Sequence, residues 1–135
     1  MILVDAGPMV AILDRGDQDH PTCMSALERL TSPLVTTWPA LAEAMYILGD
    51  RTGWAGQDAL WALVLRGDIR LHPIEEQALQ RSRDLMHRYR SVPMDLADAT
   101  LVAAAEALRQ RRIFTLDADF RVYRMQGRKP FEIVP

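Results

Sequence analysis

The sequence predicts an α/β fold with a central, mostly parallel sheet of four to five strands flanked by helices. Three observations predict it. Short apolar runs at Ile2-Leu3-Val4, Leu34-Val35-Thr36-Thr37 and Ile113-Phe114-Thr115-Leu116 have the continuous hydrophobicity of strands buried on both faces. Segments with helical spacing lie between them, and strands alternating with helices build a parallel sheet with helices on both faces. Finally, Leu96 to Leu108 carries only Asp98, Thr100 and Glu106 as polar residues, the pattern of a helix buried on nearly all sides.

The elements follow in order. Ile2 to Val4 is a buried strand with Asp5 at its carboxyl end. Gly7-Pro8 punctuates, and Pro8 suits the first turn of a helix through Leu13. Asp14 to His20 is a polar loop, and Thr22 to Leu30 a second helix. Leu34 to Thr37 is the next strand. Pro39 restarts a helix over Ala40 to Leu48, which Gly49 is expected to stop, with Glu43 in its first turn. Gly53 to Leu65 is helical, with Trp54 and Trp61 expected in the core. Ile69 to Leu71 is a brief strand closed by Pro73. Glu75 to Arg90 is a helix with a polar face rich in arginine. Ser91-Val92-Pro93 breaks it before the buried helix that starts near Leu96. Ile113 to Leu116 is a strand ended by Asp117, residues 121 to 130 are basic loop or turn, and Phe131 to Val134 is a last, edge strand.

A chain of 135 residues is expected to form one domain over residues 1–135 and to bury its core without disulfide or metal staples. Net charge is −2, so bulk charge does not advertise a nucleic-acid partner. Distribution says more. Every cation but Lys129 is arginine, and from Arg66 onward the chain holds 13 cations against 10 acids, where the part before it holds 3 against 8. The single cysteine, Cys23, excludes an intrachain disulfide and fits a reducing, cytoplasmic location. An acid at the fifth residue, with no basic stretch before it, argues against a signal peptide. No apolar run is long enough to span a membrane.

Asp98 stands in the first turn of the most apolar helix, where an unpaired carboxylate is costly. Two arrangements would keep it there. Asp95 and Asp98 can form a capping-box-like pair at the helix N-terminus, or Asp98 can sit at the mouth of a cleft beside other acids. The order of elements favours the second. Ligands of open parallel sheets bind outside the carboxyl ends of the strands. Asp5 and Asp117 lie at such ends, and Glu43 and Asp98 lie in first turns of helices on that side. Four acids from distant parts of the chain are therefore predicted on one rim. Carboxylates so crowded need a cation, and an all-oxygen donor set suits Mg²⁺, or Mn²⁺, rather than Zn²⁺. A carboxylate-held Mg²⁺ suits phosphodiester hydrolysis by an activated water. His20, His72 and His87 are scattered, and no nucleophile or phosphate-loop motif is present.

Four pieces carry a family resemblance: Leu3-Val4-Asp5-Ala6-Gly7; Thr36-Thr37 with Leu41-Ala42-Glu43; Met94-Asp95-Leu96-Ala97-Asp98-Ala99; and Phe114-Thr115-Leu116-Asp117-Ala118-Asp119-Phe120. In that order and spacing the chain resembles a PIN-domain ribonuclease, of the small stand-alone kind typical of VapC toxins in type II toxin–antitoxin pairs. The resemblance implies a three-layer fold and an acidic site of Asp5, Glu43, Asp98 and Asp117. It implies Asp5 and Asp98 as the most direct Mg²⁺ ligands, Glu43 and Asp117 acting through water or a second ion, and Thr115 supporting the site by hydrogen bonding. Asp95 then serves as N-cap, and Asp119 either touches the site through water or caps the turn before Phe120. By the same resemblance the substrate is RNA, the partner a cognate antitoxin laid over the site on the residue 40–65 helices, and the assembly a homodimer. The position after the first Asp, polar in the family, is Ala6-Gly7 here. A degenerate, non-catalytic PIN domain that binds RNA or protein is the alternative. A dehalogenase-like phosphatase, which also begins strand–Asp, is set aside because it wants an Asp where this chain has Gly7.

Overall fold

The computed structural model describes residues 1–135. Five strands form one wholly parallel sheet in the order β3-β2-β1-β4-β7. These are β1 (Ile2–Val4), β2 (Leu34–Thr36), β3 (Ile69–Leu71), β4 (Arg112–Phe114) and the edge strand β7 (Glu132–Val134). β1 is central, entirely buried, and pairs with β2 on one side and β4 on the other. The chain leaves β1 toward β2 and β3 and later returns to β4, so the order reverses beside β1. That is the switch point at which open parallel sheets bind ligands.

Six helices cover the sheet, making three layers: α1 (Ala6–Leu13), α2 (His20–Arg29), α3 (Trp38–Thr52), α4 (Trp54–Leu65), α5 (Glu76–Arg88) and α6 (Leu96–Leu108). No helix is long and apolar enough to cross a membrane. The expectation for α6 holds: eight of its thirteen residues are buried, including Asp98, and Leu101 and Val102 are wholly enclosed. Each of those two side chains contributes about 1.5–3 kcal/mol by leaving water. Cys23 is a free, buried thiol.

Three expectations are corrected. Gly49 does not stop a helix; α3 runs through it to Thr52 and ends at Gly53, whose φ of 69° is open to glycine at little cost. Gly49 serves the packing of α3 on α4. A Cβ there would come within 2.5 Å of Gln57 Nε2, and Gln57 donates to the Met45 carbonyl at 3.1 Å. Trp54 is not core but 66% exposed, at the first position of α4, just past the turn at Gly53. Residues 121–130 are not simply loop. A short 3-10 turn (Ala118–Arg121) leads into an antiparallel ribbon of β5 (Arg124–Met125) and β6 (Lys129–Pro130). Its anchors are aromatic: Tyr123 packs edge-on against Tyr89 and Phe120, and Phe120 against Phe131.

Candidate metal centre

The site is built from strand ends and helix starts at one end of the sheet. Asp5 directly follows β1. It is buried, and it caps α1 by accepting from the Ala6 N–H at 2.7 Å. Its other oxygen accepts from Thr115 Oγ1 at 2.8 Å, and Thr115 stands just past β4, the neighbouring strand. The same Thr115 oxygen accepts from the Asp117 N–H at 3.0 Å. One hydroxyl thus sets the positions of two acids that are far apart in sequence.

Asp98 enters from α6. Asp95 is the N-cap, accepting from the Asp98 N–H at 2.8 Å, so capping falls to Asp95 and the Asp98 carboxylate is free of that duty. Asp98 Oδ2 instead accepts from the Tyr123 hydroxyl at 2.9 Å. Two residues along α6, Thr100 Oγ1 donates to the Ala97 carbonyl at 2.9 Å, so the Thr37 hydroxyl donates to Thr100 Oγ1 at 2.8 Å. That bond fixes the end of β2 against the helix that carries Asp98.

One oxygen each from Asp5, Asp98 and Asp117 lies within 4.8 Å of the others. Glu43 is outside this triangle. It is an exposed residue of α3 that lines the same cleft, of about 290 Å³, together with Asp95, Ile47 and Leu116. Thr115 touches Asp5 directly. Asp119 does not cap the turn before Phe120: Asp117 does, accepting from the Asp119 N–H at 2.9 Å. The three histidines lie away from the cleft.

The electrostatics are those of a site short of positive charge. Burial raises the Asp98 carboxyl to about 7, with Asp95, Asp5 and Asp117 adding to the effect against the Tyr123 hydrogen bond. Asp5 is also raised, first by burial and then by Asp117 and Asp95, against its bonds from Thr115 and Ala6. Glu43 is raised by partial desolvation and by Asp95, Asp5 and Asp117. None of the ion pairs in the molecule reaches these groups. A converging, uncompensated, all-oxygen donor set fits a hard divalent cation such as Mg²⁺ or Mn²⁺, and offers no nitrogen or sulfur for Zn²⁺.

The family model for the PIN domain matches residues 2–125. The chain belongs to the PIN domain family. Solved structures share this PIN fold. VapC20 of Mycobacterium tuberculosis, a Sarcin-Ricin loop cleaving toxin, superposes with a TM-score of 0.84 at 20% identity, covering 90% of this chain and 94% of that one. A toxin–antitoxin complex from Klebsiella pneumoniae gives 0.66 at 21% identity, over 89% and 90%. VapBC2 of Rickettsia felis, bound to a DNA fragment from its promoter, gives 0.70 at 13% identity over the whole of both chains. These likenesses show the PIN fold. No curated protein matches the sequence.

Tyr123 is the member of this PIN site that sequence reasoning missed. It lies in a segment of low apolar periodicity among Arg121, Arg124 and Arg128, and reads there as surface. The local hint of burial was the apolar set around it, Phe120, Val122 and Met125.

Proposed function

We propose that this PIN domain is a Mg²⁺-dependent endoribonuclease that hydrolyses RNA phosphodiester bonds, and that it is the toxin of a toxin–antitoxin pair. The observation that carries the reading is the convergence of Asp5, Asp98 and Asp117 within 4.8 Å at the switch point of the sheet. Family membership supports the nuclease activity, and the toxin–antitoxin proteins that share the fold support the biological setting.

Asp5, Asp98 and Asp117 would hold the cation, with Glu43 at the rim acting through water. A bound Mg²⁺ or Mn²⁺ supplies charge neutralisation at the phosphate oxygens and a more acidic water. The residues supply the rest. Thr115 and Tyr123 orient Asp5 and Asp98. Glu43, exposed at the mouth and raised in proton affinity, takes the proton from the attacking water. No cationic side chain lines the acidic cleft, so phosphate binding there depends on the ion.

RNA approaches over the basic half of the chain. Arg83 and Arg88 are exposed on α5, Arg83 paired only with the neighbouring Asp84 at 3.2 Å and Arg88 set over the Tyr89 ring, whereas Arg81 is bound bidentately to Glu106 at 2.7 and 2.9 Å and belongs to the scaffold. For the antitoxin, the exposed Tyr46 and Trp54 on α3 and α4 support docking beside Glu43. For a homodimer, the support is an apolar groove of about 530 Å³ between the start of α3, α5 and α6, edged by exposed Trp38, Ile74, Leu79 and Leu96. The expected compartment is the cytoplasm.

The test is cleavage of a structured RNA by purified protein with Mg²⁺ or Mn²⁺, beside Asp98→Asn prepared identically. Cutting by the wild type alone, abolished by chelator, supports the reading. No cutting together with no divalent binding at the acids would favour the non-catalytic PIN domain, whereas divalent binding without cutting would point to a nuclease whose RNA was not supplied.

A further inference from the structure

We propose that Tyr123 is a positioning residue for the metal centre, holding the Asp98 carboxylate in the orientation that presents it to a divalent cation. This rests on the metal reading of the acidic site. It adds a residue from outside the acidic set, contributed by the segment between β4 and the ribbon.

The case begins with the freedom of an aspartate. The terminal torsion of Asp is broad and roughly two-fold, so a carboxylate without a fixed partner turns about it. Asp5 has two such partners, the Ala6 N–H and the Thr115 hydroxyl. Asp117 has one, the Asp119 N–H. For the Asp98 side chain the partner is the Tyr123 hydroxyl, at 2.9 Å on Oδ2.

The donor is itself immobile. Tyr123 is fully buried. Its ring lies 5.1 Å from both Tyr89 and Phe120, edge-on to each, so it is held from two sides. Its own N–H donates to the Asp119 carbonyl at 3.2 Å, in the turn capped by Asp117. The Tyr89 hydroxyl accepts from the Arg124 N–H at 3.1 Å, which ties the next residue to α5. Tyr123 therefore joins the segment bearing Asp117 to the helix bearing Asp98. A hydroxyl there gives the carboxylate a proton to lean on and leaves its remaining lone pairs for a cation. Outer partners of this kind commonly change metal affinity 10- to 100-fold when removed.

The experiment is Mn²⁺ titration followed by the electron paramagnetic resonance signal of free Mn²⁺, on wild type, Tyr123→Phe, Tyr89→Phe and Asp98→Asn. Thermal melts in chelator accompany each. Tyr123→Phe keeps the ring and removes only the donor. Tyr89→Phe perturbs the same aromatic cluster without touching Asp98. The expected result is Mn²⁺ affinity about 10-fold or more weaker in Tyr123→Phe, with Tyr89→Phe like the wild type. Wild-type affinity in Tyr123→Phe, with binding lost in Asp98→Asn, would overturn the positioning role alone. Equal losses in Tyr123→Phe and Tyr89→Phe would also overturn it, by showing that packing is responsible. Wild-type affinity in Asp98→Asn would overturn the metal reading itself, and this proposal with it.

Discussion

Thr115 Oγ1 and Asp5 Oδ2 lie 2.8 Å apart across 110 positions of sequence, because β4 and β1 are adjacent parallel strands that end side by side. The hydroxyl gives its only proton to Asp5 and accepts the Asp117 N–H. Thr115→Val keeps the shape and removes both bonds. RNA cleavage is expected to fall about 10- to 100-fold with the fold retained. Unchanged cleavage with an unchanged far-ultraviolet spectrum would show that Asp5 needs no such support.

The metal-free protein should lose stability as pH rises. A carboxyl raised in the folded state, as Asp98 is from 3.8 to about 7, contributes stability below its unfolded value and loses it as pH climbs through the folded one. Asp5 and Glu43 are shifted in the same direction. In chelator, the wild-type melting temperature should therefore decline relative to that of Asp98→Asn between about pH 4 and pH 7. Parallel curves for the two proteins across that range would mean that Asp98 ionises without penalty.

Adding a cation should reverse this loss. A ligand that binds only the folded state stabilises by about 2.7 kcal/mol at a hundredfold excess over its Kd. Mg²⁺ or Mn²⁺ should raise the wild-type melting temperature at neutral pH by several degrees and leave Asp5→Asn and Asp98→Asn nearly unmoved. Equal rises in all three would place the binding elsewhere.

The arginines of α5 should divide into two kinds. Arg81→Met leaves the half-buried Glu106 with only the Gln126 N–H, and should destabilise the protein by about 1–3 kcal/mol. Arg83→Glu with Arg88→Glu should leave the melting temperature nearly unchanged, weaken RNA binding and flatten its salt dependence. RNA affinity insensitive to the double change would remove α5 from the binding path.

Leu79 is 63% exposed at the edge of the apolar groove. If the groove joins two copies, Leu79→Arg should convert a dimer to a monomer by light scattering, with little change in the melting temperature at low protein concentration. A wild type that is monomeric at high concentration would dispose of the homodimer.

The sequence by itself determined the alternation of strands and helices, the buried character of α6, and the side of the sheet on which Asp5, Glu43, Asp98 and Asp117 fall. Those features follow from local patterns: apolar runs, helical spacing, and acids placed just after a strand or at a helix start. Only the tertiary structure decided which acids converge. Asp5, Asp98 and Asp117 form the tight triangle, and Glu43 stands at its rim, because β1 and β4 end side by side and α6 brings Asp98 to them, while α3 only lines the cleft. The passage of α3 through Gly49 was likewise invisible locally. The space a side chain would take there is filled by Gln57 from another helix. Tyr123 was hidden for the same cause. Along the chain it stands among Arg121, Arg124 and Arg128, and in space it meets Tyr89 and Asp98, which come from distant segments. A side chain's burial is set by what folds over it, and a sequence pattern reports only what lies beside it along the chain.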